Sequence, residues 1–124
     1  MSKKVNIIVT QPPYGKEDAF SAIPMGASQV AAGNDASLIF VSGGVHSIVK
    51  GQKTGYGDPA VWFKDVSSVE AEITRNIDTV SFFALDNDIE KRSISDSEII
   101  NGIKKLSLDE LTDKILEADV NLVF

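Results

Sequence analysis

The residues best able to do chemistry gather at three places along the chain. His46, the single histidine, follows Gly43-Gly44 at the end of a strand-like run; Tyr14 and Gly15 close another such run; Asp86, Asp88 and Glu90 form a short acidic cluster. One imidazole cannot build a His-based metal site, and without a G-x-S-x-G elbow there is no framework for a Ser-His-Asp relay. The plain reading of His46 is a satisfied or exposed side chain. Its position after a strand is nevertheless where open α/β sheets place their ligand crevices, and Tyr14 and Gly15 open onto the same sheet edge. Tyr14, Gly15, Gly43, Gly44 and His46 could therefore share one crevice. Gly43-Gly44 permits close backbone approach at a strand-to-helix turn: a tight turn in the plain reading, an anion cradle at the next helix N-terminus in the functional one.

The acidic cluster lacks the full spacing of a calcium loop and is read as a solvated loop, with a cation site as the alternative. No GxGxxG follows the first strand, and Thr10-Gln11-Pro12-Pro13-Tyr14-Gly15 lacks the glycines and lysine of a phosphate-cradling loop. The chain contains no cysteine, which excludes disulfides, thiolate metal sites and thiol nucleophiles. Neither a cofactor nor a metal is expected.

The elements that would position these groups alternate between strand and helix. Val5 to Val9, Ser37 to Val41, Val80 to Leu85 and Val120 to Phe124 are short runs rich in β-branched and aromatic residues, and Gly102 to Leu106 predicts a fifth, shorter strand. The first three are almost continuously apolar, as strands covered on both faces are. Helical composition or period covers Lys16 to Ala32, Val45 to Lys50, Val66 to Asn76, Ser95 to Asn101 and Leu108 to Ala118, giving an α/β fold. Ser95 with Glu98, and Ser107 with Glu110, have the spacing of capping boxes. Gly33-Asn34 suits a helix C-terminus. Leu108, Leu111, Ile115 and Leu116 share one helical face. Pro24 predicts a break at Ile23-Pro24, dividing the first helical segment into two pieces. The stretch from Gly51 to Asp65, with Tyr56, Trp62 and Phe63, is longer than an ordinary connection and reads as a packed contact between chains, with disorder as the alternative.

A length of 124 residues suits one domain over 1–124, and 43% hydrophobic with 24% charged residues is ordinary globular usage. Eighteen acidic against 12 basic side chains give a net charge of −6, which opposes direct nucleic-acid binding. No apolar run approaches the roughly 20 residues needed to span a bilayer. Met1-Ser2-Lys3-Lys4 leads into a strand with no signal-peptide core, so a cytoplasmic protein with no membrane contact is expected.

The strand ending in Thr10-Gln11, then Pro13-Tyr14-Gly15 and Asp18-Ala19-Phe20, resembles the opening of the DsrE/DsrF-like sulfur-relay family, which includes the TusB, TusC and TusD proteins. Leu38 to His46 with Val49-Lys50-Gly51-Gln52, Arg92-Ser93-Ile94, Glu98 to Gly102, and Leu108 to Phe124 are similar to later stretches of that family. The resemblance implies a three-layer α/β/α sandwich around a five-stranded parallel sheet, oligomeric assembly, and work in sulfur trafficking. In catalytic members a persulfide-carrying cysteine follows the third strand, at the stretch matched here by Ala84 and Leu85. This chain has no thiol there. It departs also at Gly43, where relatives often have Asp, at Ser93, where they have Gly, and at Pro24.

Three readings follow. The first is a non-catalytic, TusC-like subunit docking a cysteine-bearing DsrE- or TusD-like partner, towards tRNA thiolation or sulfur oxidation. The second is a homo-oligomeric module holding a small molecule or anion at the Tyr14/Gly43/His46 crevice. The third is an enzyme using Asp18 and Asp86 as acid and base.

Overall fold

The computed structural model describes residues 2–14, 18–52 and 68–124. Among these, five strands form one parallel sheet: β1 (Lys4–Val9), β2 (Asp35–Phe40), β3 (Ser81–Leu85), β4 (Lys104–Leu106) and β5 (Val120–Val123), in spatial order β4-β3-β2-β1-β5. The α-helices are α1 (Asp18–Ala31), α2 (Val69–Asn76), α3 (Asp86–Lys91) and α4 (Leu108–Glu117). The expected five-stranded parallel α/β architecture is what the chain adopts.

Alternation along the strands decides which layer each side chain joins. Val5, Ile7 and Val9 of β1, Leu38 and Phe40 of β2, and Phe82 and Ala84 of β3 pack with Ala19, Ala22 and Ile23 of α1 and Val69 and Ile73 of α2. Phe40 and Phe82 stack on neighbouring strands with centroids 6.4 Å apart. The intervening residues Ile8, Ile39 and Leu85 face the other layer, where they meet Leu106 and Leu111. Both faces of β1 and β2 are thus buried, which is why their sequences are almost wholly apolar.

The second layer is thinner. On α4 only Leu111 is buried, while Leu108 and Leu116 are 61% and 77% exposed, so most of the apolar stripe predicted for this helix covers nothing in the described chain. Lys114 lays its ammonium over the Phe83 ring, 4.3 Å from the centroid. At the outer edge β5 leaves Val123 68% exposed.

Four expectations are corrected. Pro24 does not divide α1, which runs unbroken from Asp18 to Ala31. Pro24 lies on the exposed side, where water can serve the carbonyl left unpaired, while Ala19, Ala22, Ile23 and Gly26 hold the helix to the core. The acidic cluster is no loop: Asp86 and Asp88 form the first turn of α3, where acidic side chains complement the helix dipole. The helix expected over Ser95 to Asn101 is a single 3-10 turn, Asp96–Glu98, although its capping box forms as anticipated. The segment after β2 is also a 3-10 helix, Ser42–Ile48, in place of an α-helix from Val45 to Lys50.

The helix ends follow local chemistry. After α1, Gly33 takes φ 89°, and the Asn34 N–H donates to the Gln29 carbonyl, closing the helix in the left-handed way that glycine allows. Ser107 accepts from the Glu110 N–H while the Glu110 carboxylate accepts from the Ser107 N–H. These bonds hold the Glu110 carboxyl below its ordinary range, and the equivalent bonds from Ser95 do the same for Glu98.

Candidate functional site

All five strands run parallel, so their carboxyl ends share one edge of the sheet, and the segments that follow β1 and β2 meet there. Two close approaches bring them together. A side-chain carbon on Gly44 would stand 2.1 Å from the Val9 carbonyl oxygen, and one on Gly43 would stand 3.2 Å from the Thr10 carbonyl and 3.3 Å from Pro12 Cδ. Only glycine at position 44 lets the 3-10 helix lie directly against the end of β1. The Val41 N–H donates to the Val9 carbonyl and the Gly44 N–H to the Val41 carbonyl, fixing the turn.

The consequence is a cleft of about 370 Å³ between the two segments, lined by Pro12 and Tyr14 from one and by His46, Val49, Lys50 and Gln52 from the other. Of the residues picked out from the sequence, Tyr14 and His46 line it together. Gly43 and Gly44 position the cleft without lining it, and Gly15 lies outside the described residues. Lys50 and Gln52 are not among the site residues that the sequence singles out, and both lie beyond the 3-10 helix, which ends at Ile48.

One wall of the cleft is rigidly held. Gln52 Nε2 donates to the carbonyls of Ser47 and Val49 at 2.7 and 3.1 Å. Its Oε1 accepts from the Glu70 N–H at 3.0 Å, while the Gln52 N–H donates to Glu70 Oε1 at 2.9 Å. By contrast, Tyr14, His46 and Lys50 are exposed, and none of their side chains is bonded to a described residue.

The anion cradle anticipated after Gly43-Gly44 is not open to a ligand. Ser42, at φ 51°, directs its N–H to Asp88 Oδ2 at 2.6 Å, so the chain's own carboxylate takes that place. Asp88 also faces Arg92 Nη1 at 3.7 Å. Among the described residues no group of three or more His, Asp or Glu side chains is arranged to hold a metal ion. No helix among them is long and apolar enough to cross a membrane.

At the end of β3, Ala84 is fully buried and Leu85 is 8% exposed, one facing each layer of the core. The chain first reaches solvent at Asp86 and Asn87, opening α3. Tyr56, Trp62 and Phe63, expected in a contact between chains, lie outside the described residues.

A model of the DsrE/DsrF-like family matches residues 3–124. Two solved structures are similar in fold. The YchN protein from E. coli is 24% identical with a TM-score of 0.80, the match covering 100% of both chains. A protein of unknown function from Methanobacterium thermoautotrophicum is 10% identical with a TM-score of 0.69, over 99% of this chain and 100% of that one. No curated protein matches the sequence.

Proposed function

The chain belongs to the DsrE/DsrF-like family, and from that premise we propose that it is a non-catalytic subunit of a sulfur relay, docking a partner that carries the reactive thiol. The observation that supports this most is at the carboxyl end of β3, where relatives with relay chemistry are expected to carry their cysteine. Here Ala84 and Leu85 are packed into the two core layers, and the chain has no cysteine at any position. Sulfane sulfur is carried covalently only on a thiolate, so the carrier must be another chain.

The thin second layer supports a docking role. Leu108 and Leu116 on α4 and Val123 on β5 are large apolar groups left in solvent. Family resemblance makes the partner a cysteine-bearing DsrE- or TusD-like protein. The −6 charge means that any RNA contact belongs to the partner.

Affinity purification from the native host tests the reading. It should recover a small protein with a cysteine after its third strand, and mixing the two should leave persulfide on that protein alone. Recovery of this chain only with copies of itself, or sulfane sulfur bound to this chain after desalting, would exclude it. Light scattering should give a mass at least twice the 13.3 kDa of one chain, with or without the partner.

A further inference from the structure

We propose that the cleft between Tyr14 and Lys50 is a binding site for a small organic anion, a carboxylate or sulfonate borne on a flat apolar group. The inference does not depend on the relay reading, since it rests on the cleft alone.

Size comes first. A volume of about 370 Å³ falls at the lower end of the range that small-molecule sites occupy, roughly 300–1,000 Å³, and suits one ring with its substituent. Charge comes second. The chain has 18 acidic side chains, yet none of the described residues lining the cleft is acidic. Glu70, which lines an adjoining cavity with Lys50, accepts from the Gln52 N–H through its Oε1 and forms no ion pair with Lys50. What the lining offers is donors: the Lys50 ammonium, the His46 imidazole and the Tyr14 hydroxyl, none of them bonded to a described side chain. Three other cations on this surface are paired locally, Arg75 with Glu72, Arg92 with Asp88 and Lys105 with Asp96. Lys50 has no such partner among the described residues.

Shape comes third. Pro12, Val49 and the Tyr14 ring give the cleft an apolar lining beside those donors, so a bare inorganic anion would leave half of it unused. Gln52 is locked by its four hydrogen bonds and the turn below by the Gly44 contact, so one wall is formed before a ligand arrives. The ordering left to binding is that of the Tyr14, His46 and Lys50 side chains.

The test is a titration of the ¹⁵N-labelled chain with benzoate, benzamide and sulfate, followed by amide shifts. Benzoate should give saturable shifts at His46, Val49, Lys50 and Gln52. Neutral benzamide should bind about tenfold more weakly or worse, as loss of a charge-assisted hydrogen bond implies. Lys50→Gln, an exposed and conservative change, should lower benzoate affinity by a similar factor while leaving the remaining spectrum unchanged. Absence of saturable shifts at these amides would overturn the proposal, as would equal affinity for benzamide or undiminished affinity in the Lys50→Gln variant. Sulfate binding as tightly as benzoate would overturn its apolar half. None of these results bears on whether a thiol-bearing partner docks elsewhere.

Discussion

Gly44 lies against the carbonyl of Val9 so tightly that a β-carbon would come within 2.1 Å of that oxygen. The neighbour is backbone at the buried end of a strand and cannot swing aside. Gly44→Ala should therefore cost about 3 kcal/mol, the upper end of ordinary overpacking, read as a lowered denaturation midpoint with an unchanged slope. An unshifted midpoint would mean that the 3-10 helix slides freely along β1.

Ser93 tells a complementary story. It holds φ 54° where α3 ends, with the Ile94 N–H donating to the Ile89 carbonyl. Family relatives are expected to carry glycine here, the residue for which this conformation is free of strain. Ser93→Gly should raise stability by about 1 kcal/mol, the lower end of what a left-handed backbone costs other residues. Chemical denaturation that shows a loss would place the serine hydroxyl in a bond of greater value.

Introduced thiols should report the geometry after β3. Asn87→Cys should react with iodoacetamide in the native state, because position 87 is exposed. Ala84→Cys should react only after denaturation, because position 84 is fully buried. Mass spectrometry of the alkylated proteins separates the two, and equal labelling would contradict the packing of β3.

Acid stability should depend on the capping serines. Glu98 and Glu110 are held below the ordinary carboxylate value of 4.5 by bonds from Ser95 and Ser107. A depressed folded pKa contributes stability that is present above the unfolded value and is lost as pH falls through the folded one. Ser107→Ala should lower the melting temperature by about 4 °C near neutrality. The gap from the parent chain should narrow as pH falls from 4.5 through the lower value at which Glu110 protonates in the folded parent. A constant difference across pH would show that the carboxylate takes no part.

The strands are legible because β1 and β2 are buried on both faces and so carry the apolar runs Ile7-Ile8-Val9 and Leu38-Ile39-Phe40. The capping boxes were legible because a serine and a glutamate three residues on solve a purely local problem. α3 was not, because Asp86-Asn87-Asp88 has poor helical propensity and becomes a first turn only through the dipole and the contact of Asp88 with Ser42. Pro24 misled for a related reason: local rules see the missing donor, whereas the helix is held by side chains on its opposite face. Of the cleft, Tyr14 and His46 could be found from their places after β1 and β2. Lys50 and Gln52 needed the register of a 3-10 turn and the reach to Glu70, which no local pattern encodes.

The paired bonds between Gln52 and Glu70 have a consequence for how this chain can vary. They fasten Gln52 to the first turn of α2 across 18 positions of sequence, each residue's side-chain oxygen accepting from the other's N–H. Position 70 is asked only for an acceptor, so a glutamine there would serve as well as the glutamate. Position 52 is asked for more, because its Nε2 also donates to the Ser47 and Val49 carbonyls. The clasp can thus drift in charge at one end while the other stays an amide.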